Sequence, residues 1–435
     1  MTIRFLVAGL GRETRDWLST GGAADAEVIL VDERPIDRDD PALRRTGAAL
    51  DLRGEVDLDA PLSDLGSLDE IVRSPGVSPY RTALADLVAT GVPTSTPTGR
   101  WLAADTRSNL IAVTGTKGKS TTAAMTAHVL RAIGVDVALC GNIGRTPLTG
   151  VDTADQTVVV ELSSYQLADL GADIPIAGLT TLLQDHVPWH GSLERYQTDK
   201  LRLLDLARRR LSTRVAATHP LVAERVDAIA DVAAQRERLG AAVRAAGLVG
   251  EHLVDDAALA VGLVDAVLAD RGTDVAAGDL LDALSDFAPL PHRLTPVAEI
   301  DGVRYVDDSI STVPEATLAA LDAYAPTGPV TLLLGGDDRG QELDELAARI
   351  ATADATAIVS GALADRLVAA LAGAGADHAH VDDLAAAVEL AAERTPRGGA
   401  VLLSPAAPSF GTHRDFVHRG EHFVELVRSL GSAGR

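Results

Sequence analysis

The sequence predicts an α/β protein of three domains, each a mostly parallel sheet with flanking helices. Three observations carry that expectation. Short apolar runs alternate with stretches of helical periodicity, the pattern of strands joined through helices. The chain has 435 residues, more than one hydrophobic core ordinarily organises. Two proline-bearing stretches, 93–99 and 289–291, divide it into residues 1–93, 94–290 and 291–435.

In the first part, Phe5 to Gly9 and Val28 to Val31 read as buried strands. The second ends on Asp32, where an open sheet often places a ligand-facing acid. Ser74-Pro75-Gly76-Val77 closes another strand and reads equally as a simple turn or a binding loop. The middle part opens with the strand Asn109 to Thr114 and continues through further strand and helix alternations. From Lys200 to about Ala288 it turns to Ala, Arg and Leu at helical spacing, with few strand signals. The last part alternates again, with strands at Thr331 to Leu334 and Ala400 to Leu403.

Composition narrows the function. The chain is 46% apolar, 23% charged and only 3% aromatic, so its cores rest mainly on Ala, Val and Leu. A net charge of −23 argues against a nucleic-acid partner, whose phosphates need a basic face. Cys140 is the only cysteine, so no disulfide forms within the chain and a reducing compartment fits best. Neither a signal peptide nor a long apolar run is present, so a soluble, cytoplasmic protein without membrane insertion is expected.

Gly115-Thr116-Lys117-Gly118-Lys119-Ser120-Thr121 follows an apolar strand and opens a helix, Ser120 to Ile133. That is the setting of a phosphate-binding loop. Backbone N–H groups face the anion, Lys119 reaches the terminal phosphates and the Ser120 hydroxyl ligates Mg²⁺. The fit to G-x-x-x-x-G-K-[ST] is incomplete, because Val113 holds the first glycine's place and the glycine comes at Gly115. ATP or GTP binding follows, but the loop alone does not say where the γ-phosphate goes.

Three further islands follow. Gly141-Asn142-Ile143-Gly144 is a turn after a strand. Val158-Val159-Val160-Glu161-Leu162-Ser163-Ser164-Tyr165-Gln166 ends a buried strand on an acid, and Asp185-His186-Val187-Pro188-Trp189-His190-Gly191 ends another. A buried carboxylate is costly unless paired or metal-bound, which makes Glu161 a good Mg²⁺ ligand candidate. His186 is a less usual ligand for so hard an ion, and alone would read as a hydrogen-bonded loop histidine. Lys200 alone would read as a solvated helix lysine.

The order of G-x-x-G-K-S-T, G-N-I-G, E-L-S-S-x-Q-L, D-H-x-x-x-H-G and Y-x-x-x-K resembles the central domain of the Mur ligase family. The resemblance implies Rossmann-like first and last domains around a phosphate-loop domain. It also implies ATP with two Mg²⁺ ions held by Ser120, Glu161 and His186, Asn142 at the nucleotide phosphates, and a carbamylated Lys200 supplying a carboxylate near the metal. Further on, Pro291-His292-Arg293-Leu294 and Asp307-Asp308-Ser309 resemble motifs whose arginine and aspartate reach ATP, which implies Arg293 and Asp308. Gly335-Gly336-Asp337-Asp338-Arg339-Gly340, Ser404 to Phe410 and Asp415-Phe416-x-x-Arg419-Gly420 resemble the closing signatures.

Within the family these patterns resemble the branch that adds glutamate to UDP-N-acetylmuramoyl-L-alanine, with a monomer as the expected state. By that resemblance Asp32, Ser74 and Gly76 hold the UDP group, Ser163 and Gln166 lie along the substrate, and Thr312, Arg339, Ser409 and Phe416 bind the amino acid. Two departures stand out. Ile310 replaces the lysine that elsewhere holds the side-chain carboxylate of D-glutamate. The Asp308-Ser309-Ile310-Ser311-Thr312 form resembles a less common branch that attaches L-glutamate. Leu253 and Asp256 stand where many members carry adenine-side asparagines. The alternatives are the same reaction with D-glutamate, a folylpolyglutamate synthase-like ligase, and a nucleotide-binding regulator without turnover.

Overall fold

A computed structural model describes residues 2–229, 236–246, 251–288, 290–338, 340–409 and 411–433. Three sheets lie in two compact units, one of Met1–Leu239 with Val254–Leu284 and one of Gly240–Leu253 with Ser285–Arg435.

The first sheet contains β1 (Arg4–Ala8), β2 (Glu27–Val31), β3 (Ala49–Arg53), β4 (Glu70–Arg73) and β5 (Thr94–Ser95), all parallel, in the order β3-β2-β1-β4-β5. Phe5, Leu6, Val7 and Ala8 are buried, as a central parallel strand covered on both faces requires. The chain builds β2 and β3 to one side of β1, then returns to build β4 and β5 on the other. That reversal opens a crevice at the carboxyl ends of β1 and β4, the usual ligand position in an open sheet. The stretch read as a linker, 93–99, is ordered. Thr94–Ser95 pairs with β4, and Pro97 opens the helix Pro97–Ala104, capped by the Thr96 hydroxyl accepting from Gly99 N at 3.0 Å. Proline suits a first helical turn, where its missing N–H would have no partner anyway.

The second sheet contains β6 (Leu110–Thr114), β7 (Val137–Gly141), β8 (Thr157–Glu161), β9 (Ile174–Leu179), β10 (Ala207–Ser212) and β11 (Ala228–Ile229). Its order is β11-β10-β9-β6-β8-β7, again parallel throughout. Strands β6, β8 and β9 are buried along their whole length, which accounts for their unbroken apolar runs. β6 is flanked by β8 and β9 with Val113 opposite Glu161 and Thr114 opposite Leu179, so three strand ends meet at one edge. β10 is the strand that periodicity does not reveal. Its Arg208, Arg209 and Arg210 pair with Asp173, Asp270 and Asp227, putting charge on both faces instead of apolar alternation.

In the other unit, β12 (Thr295–Ile300), β13 (Val303–Asp307), β14 (Val330–Gly335), β15 (Ala355–Ser360), β16 (Asp377–His380) and β17 (Ala400–Leu403) order as β12-β13-β17-β14-β15-β16. Only β12 runs antiparallel. Leu332, Leu334, Val359 and Leu402 pack under the helices Pro314–Tyr324, Asp344–Thr352 and Ala364–Ala374. Leu333, Ile358 and Leu403 pack on the other face with Leu384, Val388, Phe423 and Val427.

Within the first unit, the first two sheets are tied by a buried ion pair. Arg73, at the end of β4, is fully buried and donates from Nε and Nη2 to Asp169 at 2.7 and 2.6 Å. It also donates to the carbonyls of Val77 at 3.0 Å and Tyr165 at 2.7 Å. Removing one partner of a buried pair strands the other charge, so Arg73→Met should cost roughly 3–5 kcal/mol. Denaturant unfolding checks this, with Arg73→Met/Asp169→Leu expected to recover most of the loss. An equal loss in both would contradict the stranded-charge account.

Candidate active site

The phosphate loop leaves β6 at Thr114 and is held from below by the segment after β9. Thr116 N donates to Thr181 O at 2.8 Å, Lys117 N to Thr181 Oγ1 at 2.8 Å, and Leu183 N to Thr116 Oγ1 at 2.9 Å. Two glycines make this possible. At Gly115 a Cβ would lie 1.9 Å from Thr180 Oγ1, and at Gly118, with φ at +86°, it would lie 2.4 Å from an Asp256 carboxylate oxygen. The helix Lys119–Ala132 begins directly after Gly118, so its first N–H groups frame the loop. Lys119 Nζ donates to Thr116 O at 3.0 Å, and Lys117 lies 3.9 Å from Asp185. Ser120 is half-buried and Thr121 buried in the first turn.

Beside this loop, Glu161 ends β8 with 1% of its surface exposed. Its Oε1 accepts from Asn142 Nδ2 at 2.8 Å, and Asn142 N donates to the Glu161 carbonyl, also at 2.8 Å. Its Oε2 is buried and has no hydrogen-bond partner. A buried carboxylate oxygen left unsatisfied is expensive, and a hard divalent cation is the partner that fits an oxygen donor there.

His186 takes a left-handed conformation, φ 51°, at the head of the short helix Val187–His190. Such a conformation is uncommon outside glycine and concentrates at working sites. Burial holds its imidazole below the ordinary value against the pull of Asp185, with Lys200, Lys119 and His190 adding to the lowering. A neutral imidazole is the form that ligates metal. Lys200 is buried, lies 5.1 Å from the Tyr196 ring and donates from Nζ to Gly115 O at 2.7 Å. Burial, and then the Lys119 charge, push its amine well below the ordinary lysine range. Lys119, Glu161, Asn142, His186 and Lys200 thus gather around one loop.

A cavity of about 260 Å³ occupies the crevice of the first sheet, lined by Gly9, Gly11, Asp32, Arg34, Ser74 and Gly76 among others. Burial raises the Asp32 carboxyl, but hydrogen bonds from Leu10 N and Arg34 outweigh it and hold the group below its ordinary range. Asp32, Ser74 and Gly76 therefore share one wall. Ser163 and Gln166 are engaged locally. They form a capping box for the short helix Ser164–Leu167, and Gln166 Nε2 donates to Glu13 at 2.6 Å.

In the C-terminal unit Asp308 is buried. It accepts from Ser311 Oγ at 2.5 Å, Ser404 Oγ at 2.7 Å and Leu294 N at 3.2 Å. Burial pushes its carboxyl up to about 6, the hydrogen bonds notwithstanding. Arg293 stands half-buried beside it with an unpartnered Nε. Arg419 is a residue that motif matching left without a role. It is buried and ties three strand ends together, donating to Ser309 O and Ala407 O at 2.9 and 3.0 Å and to Gly335 O at 3.3 Å. Ser309 Oγ in turn donates to Phe416 O at 2.8 Å. Ser409 is buried, Thr312 half-buried, and Arg339 lies outside the described residues. A larger cavity of about 400 Å³ opens at the ends of β14, β15 and β17, lined by Gly335, Gly336, Arg419 and three histidines, and it includes none of Thr312, Ser409 or Phe416.

Sequence comparison agrees with this geometry. Residues 113–231 match the Mur ligase middle domain, and residues 292–407 match the Mur ligase glutamate ligase domain. The UDP-N-acetylmuramoyl-L-alanine–L-glutamate ligase of Xanthomonas axonopodis pv. citri is 39% identical, over 88% of this chain and 87% of its own. The chain belongs to the Mur ligase family. A Micromonospora sp. protein of the same name is 36% identical over 97% of this chain and 96% of its own. The crystal structure of a UDP-N-acetylmuramate-alanine ligase from Thermotoga maritima shares the fold. Its TM-score is 0.56 at 17% identity, over 99% of this chain and 100% of that one.

Two expectations follow for this Mur ligase. Glu161→Gln should raise the Mg²⁺ concentration needed to bind a non-hydrolysable ATP analogue at least roughly tenfold, a loss typical of a disturbed metal site. An unchanged Mg²⁺ titration would exclude Glu161 as a ligand. Asp308, titrating near 6 against an ordinary 3.8, holds its proton more tightly when folded. Its contribution to stability is therefore full below about 3.8, declines as pH rises, and is gone above about 6. Asp308→Asn should accordingly gain stability relative to the parent as pH rises from about 3.8 to 6 and keep that gain above, read by thermal unfolding.

Proposed function

We propose that this Mur ligase joins L-glutamate to the free carboxylate of UDP-N-acetylmuramoyl-L-alanine, with ATP cleaved to ADP and phosphate, in peptidoglycan precursor synthesis. The observation that carries the reading is the buried Glu161 with its unpartnered oxygen, in register with a phosphate loop that also touches the buried amine of Lys200. The full-length relatives named for that reaction support the substrate assignment. The reading places the protein in the cytoplasm as a monomer.

A carboxylate resists attack by an amine, so its oxygen must first leave as something better than oxide. The carboxylate oxygen attacks the γ-phosphorus, the bond to the β-phosphate oxygen breaks, and an acyl-phosphate and ADP result. Lys119 and the N–H groups of the loop meet the charge that spreads over the transferring group. Ser120, Glu161 and His186 would hold Mg²⁺, which would supply further neutralisation of phosphate charge; we assign two ions. Asn142 orients Glu161. The glutamate nitrogen then attacks the acyl carbon, gives up a proton, and phosphate departs.

Lys200 fits a carbamate. An amine forced toward its neutral form by burial is the form that adds to carbon dioxide, and the product carboxylate suits a second cation. In the first sheet, Asp32, Ser74 and Gly76 would take the UDP group, while Arg293 and Asp308 would meet ATP. Thr312, Arg339, Ser409 and Phe416 would meet the amino acid. Ile310 is half-buried and offers a carboxylate neither charge nor donor, which favours L-glutamate over the D-enantiomer.

The test is phosphate release from ATP, Mg²⁺ and UDP-N-acetylmuramoyl-L-alanine. We expect release with L-glutamate, little with D-glutamate, and a shift toward D-glutamate in Ile310→Lys. Lys119→Ala should lower turnover by about 10²–10³-fold, the cost of one preorganised donor. Release with D-glutamate alone would overturn the stereochemical reading, and folate-dependent release would overturn the substrate.

A further inference from the structure

The segment linking the first crevice to the phosphate loop holds buried polar groups that no step above uses. His190 is fully buried and Asp199 nearly so, one residue before Lys200. His190 Nδ1 lies 2.6 Å from Asp199 Oδ2, and His190 Nε2 lies 3.0 Å from Ser164 Oγ. The Tyr80 hydroxyl donates to Asp199, 2.7 Å from both carboxylate oxygens. A carboxylate only accepts, so Nδ1 carries the hydrogen toward Asp199, while Nε2 pairs with the Ser164 hydroxyl. Burial, and the Asp199 carboxylate with it, push the Tyr80 phenol well above its ordinary value, which keeps it a donor.

Both ends of this chain reach named site elements. Tyr80 follows the Ser74–Gly76 loop, which Trp189 Nε1 contacts at Gly76 O at 3.0 Å and which Ser78 Oγ anchors to Trp189 O at 2.9 Å. At the other end the His190 ring meets the edge of Tyr196 at 5.2 Å, and the Tyr196 hydroxyl bonds Thr116 Oγ1 of the phosphate loop at 2.7 Å. Ser164 stands three residues after Glu161. Buried, fully connected polar networks fix one arrangement of the groups they join.

We propose that Tyr80, Asp199 and His190 are positioning residues that hold the phosphate loop, Lys200 and the turn after Glu161 in fixed register with the crevice of the first sheet. The inference rests on the ligase reading. It says how an acceptor carboxylate and a γ-phosphate bound on two different sheets reach in-line geometry. Misplacement of reacting groups by about 1 Å is worth up to roughly 10²-fold in rate, so the effect belongs in kcat.

The test uses the full chain and begins with Tyr80→Phe, which removes one hydroxyl and keeps the ring that packs on Trp189 and under Arg195. We expect kcat to fall at least about tenfold even well below the melting transition, KM for ATP and L-glutamate to stay within about twofold, and the melting temperature to drop by only a few degrees. Asp199→Asn should do the same, and the double variant should fall no further than the larger single effect. A kcat within twofold of the parent, additive losses, or losses that track the melting temperature would each overturn the proposal. If the parent itself releases no phosphate with L-glutamate, the reaction assignment fails, and backbone hydrogen exchange decides the relay. Residues 113–119 should then exchange faster in Tyr80→Phe than in the parent, and equal exchange would sink it.

Discussion

One carboxylate oxygen organises the centre of this molecule. Glu161 ends a strand buried along its whole length, and Oε2 is left without a donor while Oε1 is held by Asn142. A side chain so placed would be selected against in a purely structural core, because each unsatisfied buried polar atom costs on the order of 1–3 kcal/mol. Its position is set by the pairing of β6 with β8, which brings Glu161 level with Val113 just before the phosphate loop begins. The loop, the helix behind it and the segment after β9 are arranged about that register. The same strand pairing that buries the core also aims the site.

The first unit then has to keep a substrate crevice on one sheet in step with a phosphate loop on the next. It does so with directional bonds. Arg73 with Asp169, Glu13 with Thr98 and Gln166, and Tyr80 with Asp199 all cross from one sheet's elements to the other's with buried partners. Each of these would weigh little on an exposed surface. Away from water each bond is electrostatically stronger, and each unmade partner is costly, so the alternatives to the observed geometry are penalised. Hydrophobic contact alone would permit small sliding that in-line phosphoryl transfer does not tolerate.

Much of the fold was legible because parallel central strands read as continuous apolar runs. β1, β6, β8, β14 and β17 lie within a residue or two of where the pattern put them. The arginine-bearing β10 was not, since its arginines satisfy themselves on aspartates and leave no alternation. Nor was the order of 93–99, where proline reads as a breaker but serves as a first helical residue. Lys119, Glu161, His186 and Lys200 were singled out through the order of their motifs, and the fold gathers them around one loop. His190 and Arg419 stand in quoted motifs without an assigned role, and Asp199 and Tyr80 carried no signal, because their meaning lies in contacts between residues 9 to 119 positions apart. Spacing along a chain cannot report that.

Charge separates the surface of this protein from its centre. The chain carries a net −23, yet Lys117, Lys119 and Lys200 crowd the phosphate loop, with Glu161, Asp185 and Asp256 as nearby acids. The strain of that crowding is visible in the depressed Lys200 amine, whose charge is opposed first by burial and then by Lys119. An amine held toward its neutral form by burial adds little positive charge, so Lys117 and Lys119 are the cations left to meet an anion there. A triphosphate entering the loop would meet those two ammonium groups and the first N–H groups of the helix that follows. A net negative charge offers a polyanion little elsewhere, which favours the loop after β6 as the nucleotide site.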